Sequence, residues 1–218
     1  MKVSYKSDWT YWILILIPFS YLAFIWSDLP ERVVMHFNID GEPDKWGNKT
    51  NLVLVPVLLP LISYLVMLFI PVLDPRKKIE QMGNKYRQLM FIIVLFTSAL
   101  ACFIIYTASR GAELNTHIIF GLLGLLFMFM GYFFQTIKPN YFIGIRTPWT
   151  LESEEVWVAT HRWSGKIWIA GGLLMVAAAF VTKEKIALAA FAGVVVLLSM
   201  VPLVYSFIKF KELEKSGH

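Results

Sequence analysis

The chain of 218 residues is 57% hydrophobic and only 16% charged, with a formal charge of +5. Soluble domains carry about a quarter charged residues. This composition therefore excludes an ordinary soluble domain and implies a bilayer as solvent, whose anionic headgroups suit the positive charge better than nucleic acid does.

A helix needs about 20 apolar residues to cross the hydrocarbon, and six runs supply them: 9–27, 51–73, 88–108, 115–136, 164–182 and 186–208. The first ends in Ile25-Trp26-Ser27-Asp28 without a small-residue cleavage site, which marks an uncleaved span. Pro56 and Pro60 near the start of the second predict a bend there. Gly121, Gly124 and Gly131 in the fourth, and Ala177 to Ala179 in the fifth, are candidates for close helix contacts. The expected fold is an all-α integral membrane protein, one polytopic domain over residues 1–218 with six transmembrane helices.

Lysine and arginine set the orientation. With the N-terminus inside, the inner segments hold fourteen of the twenty Lys and Arg residues and the outer segments six. Both termini are then cytoplasmic, as are the loops 74–88 and 137–163, while loop 28–50 faces out. No Asp, Glu, Lys or Arg lies in the middle of a span, which disfavours an ion-coupled transporter. The single cysteine, Cys102, sits in an apolar run and reads as a packing residue, with no disulfide or cysteine metal cluster available. Chemistry, if present, belongs to the loops.

The outer loop reads DLPERVVMHFNIDGEPDKWGNKT. Pro30, Gly41, Pro43 and Gly47 divide it into turns, and Val33, Val34, Met35, Phe37 and Ile39 give it enough apolar area to be ordered. His36, Asn38, Asp40, Glu42 and Asp44 occupy alternate positions, which share one face of an extended segment. Such a set could hold a cation through His36, Asp40 and Asp44, but its spacing matches neither HExxH nor an EF-hand. Asn and Asp also favour turns by bonding their own backbone. A recognition surface with no metal or other cofactor is the expected reading, with Trp46 as part of it or as an interfacial anchor. A metal-dependent membrane enzyme built on this loop is the alternative; it lacks a serine or cysteine nucleophile beside His36, so the protein is not expected to be an enzyme.

The inner loop continues as PNYFIGIRTPWTLESEEVWVATHRWSGK. Asn140 and Gly144 allow tight turns, and Thr147-Pro148 imposes an extended approach. Thr150 or Ser153 can cap a helix whose first turn carries Glu154 and Glu155. On that short helix, over 153–163, Glu154, Trp157 and His161 share a face. The stripe suits a cytoplasmic docking surface together with Arg146 and Trp149; equally, tryptophans at the headgroups with Arg162 and Lys166 toward phosphates describe an interfacial helix.

The motifs HFNIDGEPDKWGNK and NYFIGIRTPWTLESEEVWVATHRWSGK together resemble those of the SdpI family of bacterial membrane immunity proteins, over most of the chain from the first span through the fifth. The resemblance implies a six-span plasma-membrane protein that protects its host against a secreted toxic peptide. It also implies, for the best-known member, recruitment of a small cytoplasmic helix-turn-helix repressor, with no direct nucleic-acid binding by the membrane protein. The matching positions are His36, Asn38, Gly41, Pro43, Asp44 and Trp46 in the outer motif. In the inner motif they are Asn140, Gly144, Arg146, Thr147, Pro148, Trp149, Trp157 and His161. The resemblance assigns no catalytic role to any of them. Export of a peptide by a transporter is a further alternative, weakened by the uncharged spans.

Overall fold

A computed structural model of the chain describes residues 9–38, 41–111, 115–181 and 184–216. Six of its helices are long and apolar enough to cross a membrane: Trp9–Asp28, Lys49–Leu73, Asn84–Arg110, Thr116–Phe134, Glu154–Phe180 and Ile186–Lys215. The α-helices are α1 (Trp9–Ile25), α2 (Leu54–Pro56), α3 (Ile62–Leu73), α4 (Asn84–Arg110), α5 (Thr116–Phe134), α6 (Pro148–Glu152), α7 (Glu154–Val181) and α8 (Glu184–Lys215). The fold is not purely helical. Strands β1 (Arg32–Phe37) and β2 (Pro43–Asn48) form an antiparallel hairpin within the expected outer loop. Contacts divide the chain into two compact units, one comprising 1–68 with 90–116 and the other 69–89 with 117–218.

In the first unit, α1 buries Tyr11, Ile15, Pro18 and Leu22. Their spacing places them on one helical stripe, while Leu16 and Phe24 stay exposed. Tyr11 packs on Tyr64, ring centroids 5.5 Å apart, and edge-on to Phe91 at 6.2 Å. The proline-rich start of the second span is a graded structure. A 3₁₀ turn (Lys49–Val53) leads to α2, then a π turn (Val57–Leu61), then α3. Pro60 has no N–H and its ring displaces the carbonyl one turn back; widening to π geometry absorbs that conflict without ending the helix. Leu22, Leu29, Val33, Leu52, Ile105 and Ala108 form one buried cluster, which roots the hairpin in the helices beside it.

In the second unit, α5 and α7 cross at two reciprocal glycine contacts. A Cβ on Gly124 would lie 2.7 Å from the Gly172 carbonyl oxygen, and one on Gly172 would lie 2.5 Å from that of Gly124. Seven residues along, Gly131 and Gly165 stand in the same relation, 2.5 Å each way. The backbones therefore touch where no side chain fits, a geometry suited to packing in lipid, where dispersion and close approach replace the hydrophobic effect. Gly121 has open space around it, so of the three glycines expected at helix contacts only two serve there. Along α7, Trp168 packs on Phe127 and Phe134 and donates its indole N–H to the Leu198 carbonyl of α8 at 3.1 Å.

The fifth span differs from its sequence reading. Instead of a short helix over 153–163 followed by a span over 164–182, α7 is one continuous helix of 28 residues. At 1.5 Å per residue it is about 42 Å long, against about 30 Å of hydrocarbon, so it is longer than the apolar layer is thick. The short helix of this region is α6. Thr147 is its N-cap, Pro148 its first residue, and Thr147 and Thr150 form a reciprocal capping box.

Candidate functional site

Two structures carry the polar residues singled out in the sequence. The first is the hairpin. Its register runs Arg32↔Asn48, Val33↔Gly47, Val34↔Trp46, His36↔Lys45 and Phe37↔Pro43. Met35 is thus an extra residue on β1 and Asp44 an extra one on β2, two bulges that cancel. A bulge interrupts strict alternation, so Met35 and the His36 that follows it are both exposed, while Val33 and Val34 before it are both buried. The second bulge brings Asp44 against His36, with Nδ1 and Oδ1 2.6 Å apart.

The hairpin tip is closed by Asn38. Its backbone N–H donates to the Glu42 carbonyl at 2.9 Å, its side-chain oxygen accepts the Glu42 amide at 2.9 Å, and its Nδ2 donates to the Glu42 carboxylate at 3.1 Å. At the base, Lys49 pairs with Glu31 at 2.9 Å and lies over the Trp26 ring. Trp46 is 46% exposed, and the edge of its ring covers Gly111, where a Cβ would stand 3.3 Å from it. The hairpin therefore presents His36, Glu42, Asp44, Lys45 and Trp46 outward from a fixed base.

Of the expected outer-loop residues, His36, Asn38, Glu42, Asp44 and Trp46 fall on this element; Asp40 lies outside the described residues. The described residues of the set inferred from alternation come together in pairs across the hairpin, His36 with Asp44 and Asn38 with Glu42, the first through the bulges rather than through strict alternation. Among the described residues no three His, Cys, Asp or Glu side chains converge as a metal would require. His36 and Asp44 supply two ligands and a charge-assisted contact.

The second structure is the loop between α5 and α7. The Asn140 side chain is buried and mimics a turn: its oxygen accepts the amides of Phe142 (2.8 Å) and Ile143 (2.7 Å), and its nitrogen donates to the carbonyls of Lys138 (2.9 Å) and Ile143 (3.0 Å). The Ile145 amide donates to His161 Nε2 at 2.8 Å, and His161 Nδ1 is 2.8 Å from the Trp157 carbonyl oxygen. One nitrogen accepts and the other donates, which fixes the neutral Nδ1–H tautomer. Trp157 stacks on His161 at 4.1 Å and donates its indole N–H to the Ile137 carbonyl at 3.1 Å. Gly144 has φ +114°, and a Cβ there would be 2.5 Å from His161 Nε2. Thr147 also bonds Ser206 of α8 at 3.1 Å.

These contacts correct the docking stripe. Trp157 and His161 are 0% and 1% exposed, so neither offers a surface to a partner. They face inward because α7 begins at Glu154 and packs that side against the 137–145 segment. Arg146 and Glu154 remain exposed, and Trp149 is half-buried against Phe207 of α8, centroids 5.0 Å apart. Arg146 donates to the Tyr141 carbonyl. Ser206 was not evident from sequence, since a serine in a span resembles any other small residue. The α6 cap was legible in principle: Thr-Pro-x-Thr places a capping hydroxyl before a first-turn proline.

Residues 136–206 match the SdpI/YfhL protein family, and residues 13–59 match a domain of unknown function, DUF1648. The chain is 27% identical over 193 residues to Immunity protein SdpI of Bacillus subtilis (strain 168), covering 87% of this chain and 88% of that protein. The first match contains the locked loop with α6, α7 and most of α8; the second contains most of α1 and the hairpin. No solved structure matches the chain.

Proposed function

We propose, from the premise that this chain belongs to the SdpI/YfhL family of multi-pass bacterial membrane proteins, that it is an immunity protein protecting the cell from a secreted peptide toxin. The observation that carries the reading to particular residues is the hairpin. Its polar and aromatic side chains stand exposed on a base anchored in the helix core. His36, Asn38, Glu42, Asp44 and Trp46 form the recognition surface in this reading, and the acidic excess of Glu31, Glu42 and Asp44, together with Asp40 in the sequence, suits a cationic peptide. The role is non-enzymatic: the hairpin has a His–Asp pair but no serine or cysteine for it to activate.

The orientation proposed is N-in and C-in, with the hairpin outside, on the strength of the lysine and arginine asymmetry. The Arg76 guanidinium over the Tyr141 ring supports the relative part of this arrangement, since it joins the segments after the second and fourth spans on one side. The finer reading, recruitment of a cytoplasmic helix-turn-helix repressor, would fall to exposed Arg146 and Glu154 beside Trp149. Expression of the chain in a sensitive bacterium challenged with a toxin-producing strain tests the immunity role. Survival above the vector control supports it, and equal killing at normal membrane abundance rejects it.

A further inference from the structure

The turn after α3 and the loop after α5 meet at Tyr141. Asp74 is 2% exposed, and its carboxylate oxygens accept the amides of Ile79 (2.8 Å) and Arg76 (3.3 Å). This buried cap fixes a tight turn in which Lys77 holds the left-handed φ of 50° and donates its amide to the Asp74 carbonyl at 3.1 Å. Such a conformation is disfavoured for a side-chain-bearing residue, so the turn is built rather than slack. It directs Arg76 and Lys77 outward, both exposed. Arg76 lies over the Tyr141 ring, 5.0 Å from its centroid, and Arg146 donates to the Tyr141 carbonyl. Lys138, also exposed, stands three residues before Tyr141.

Arg76 and Arg146 thus meet at Tyr141, Lys77 and Lys138 are exposed close by in the chain, and none of the four has an ion-pair partner among the described residues. Their place in the chain identifies what neutralises them. Arg76 is three residues beyond the end of α3 and Lys138 four beyond the end of α5, so both follow closely on apolar helices long enough to cross a membrane. Immediately before the turn, Val72 and Leu73 are 80% and 63% exposed, an apolar rim that acyl chains cover. A soluble acidic protein would match the charge but not that rim.

We propose that this surface is a binding site for the phosphate headgroup of an anionic phospholipid. Arginine presents paired donors to phosphate oxygens, and lysine a point charge beside them. Clusters of this kind at a membrane surface attract anionic lipid by charge, whichever side of the membrane they occupy.

The test uses the full chain reconstituted in phosphatidylcholine vesicles carrying spin-labelled phosphatidylglycerol or spin-labelled phosphatidylcholine, with the motionally restricted fraction read by electron spin resonance. The expected preference for phosphatidylglycerol is about threefold or more at low salt, falling as salt screens it. It should drop toward unity in Arg76→Gln/Arg146→Gln and, separately, in Lys77→Gln/Lys138→Gln, a pair of exposed residues whose side chains form no ion pair among the described residues. The control is Lys209→Gln/Lys211→Gln, two lysines already paired with Glu212 and Glu214, which should keep the preference. An unchanged preference in both patch variants, or equal loss in the control, overturns the proposal. Competition by inorganic phosphate at matched ionic strength would assign the site to a free anion instead. Patch-dependent binding of soluble polyglutamate without lipid preference would assign it to an acidic protein.

Discussion

The Ile145 amide reaches across sixteen residues of sequence to His161 Nε2 at 2.8 Å, so a histidine on α7 completes the hydrogen bonding of a loop that precedes it. Together with Trp157 and Asn140 it makes the most motif-rich stretch of the chain a framework. Buried polar groups of this kind cost stability when left half-satisfied.

Truncating the framework should therefore act on folding. Trp157→Ala removes a fully buried indole and orphans the Ile137 carbonyl, a loss of about 3 kcal/mol or more. The measurable outcome is lower membrane abundance and a lower melting temperature in detergent, with protection falling in proportion. Normal abundance with a selective signalling defect would restore the docking role that its burial argues against.

Gly144→Ala should be similarly damaging, since alanine must adopt φ +114° and its Cβ would collide with the His161 ring. Strain of this kind is worth about 1–3 kcal/mol before the collision is added. A thermal unfolding series comparing Gly144→Ala with wild type in the same detergent checks this; an unchanged midpoint contradicts the geometry.

The helix crossing supplies its own control. Gly131→Ala places a methyl 2.5 Å from the Gly165 carbonyl oxygen and should cost about 1–3 kcal/mol. Gly121→Ala enters open space and should be neutral or mildly stabilising, by up to about 1 kcal/mol. Equal effects of the two substitutions on the melting midpoint would reject the two-point glycine contact.

Much of this was legible in the sequence, and the exceptions have physical causes. Six apolar runs mark six spans because span length is set by the bilayer, not by tertiary contacts. The hairpin was legible as an ordered, partly extended segment. That His36 and Asp44 could come together was legible too; the two compensating bulges that set them against each other were not, because only the cross-strand register reveals them. Trp157 and His161 were placed correctly on a common helix face, but whether that face looked out or in depended on α7 beginning at Glu154 and packing against residues 137–145. Helical periodicity identifies a face without identifying its neighbour.

The hairpin pair should separate function from stability. His36 and Asp44 side chains are 57% and 38% exposed, and exposed pairs contribute about 0–1 kcal/mol. His36→Ala and Asp44→Ala should therefore leave abundance and melting nearly unchanged.

Survival of sensitive cells expressing those two variants, normalised to membrane abundance and challenged with a toxin-producing strain, tests the central claim most directly. The account predicts protection reduced about tenfold or more, the scale on which a surface residue central to recognition acts, with abundance within about 20% of wild type because so little stability rests on the pair. Full protection by both variants at normal abundance would contradict it, and would make the hairpin a scaffold rather than the recognition element.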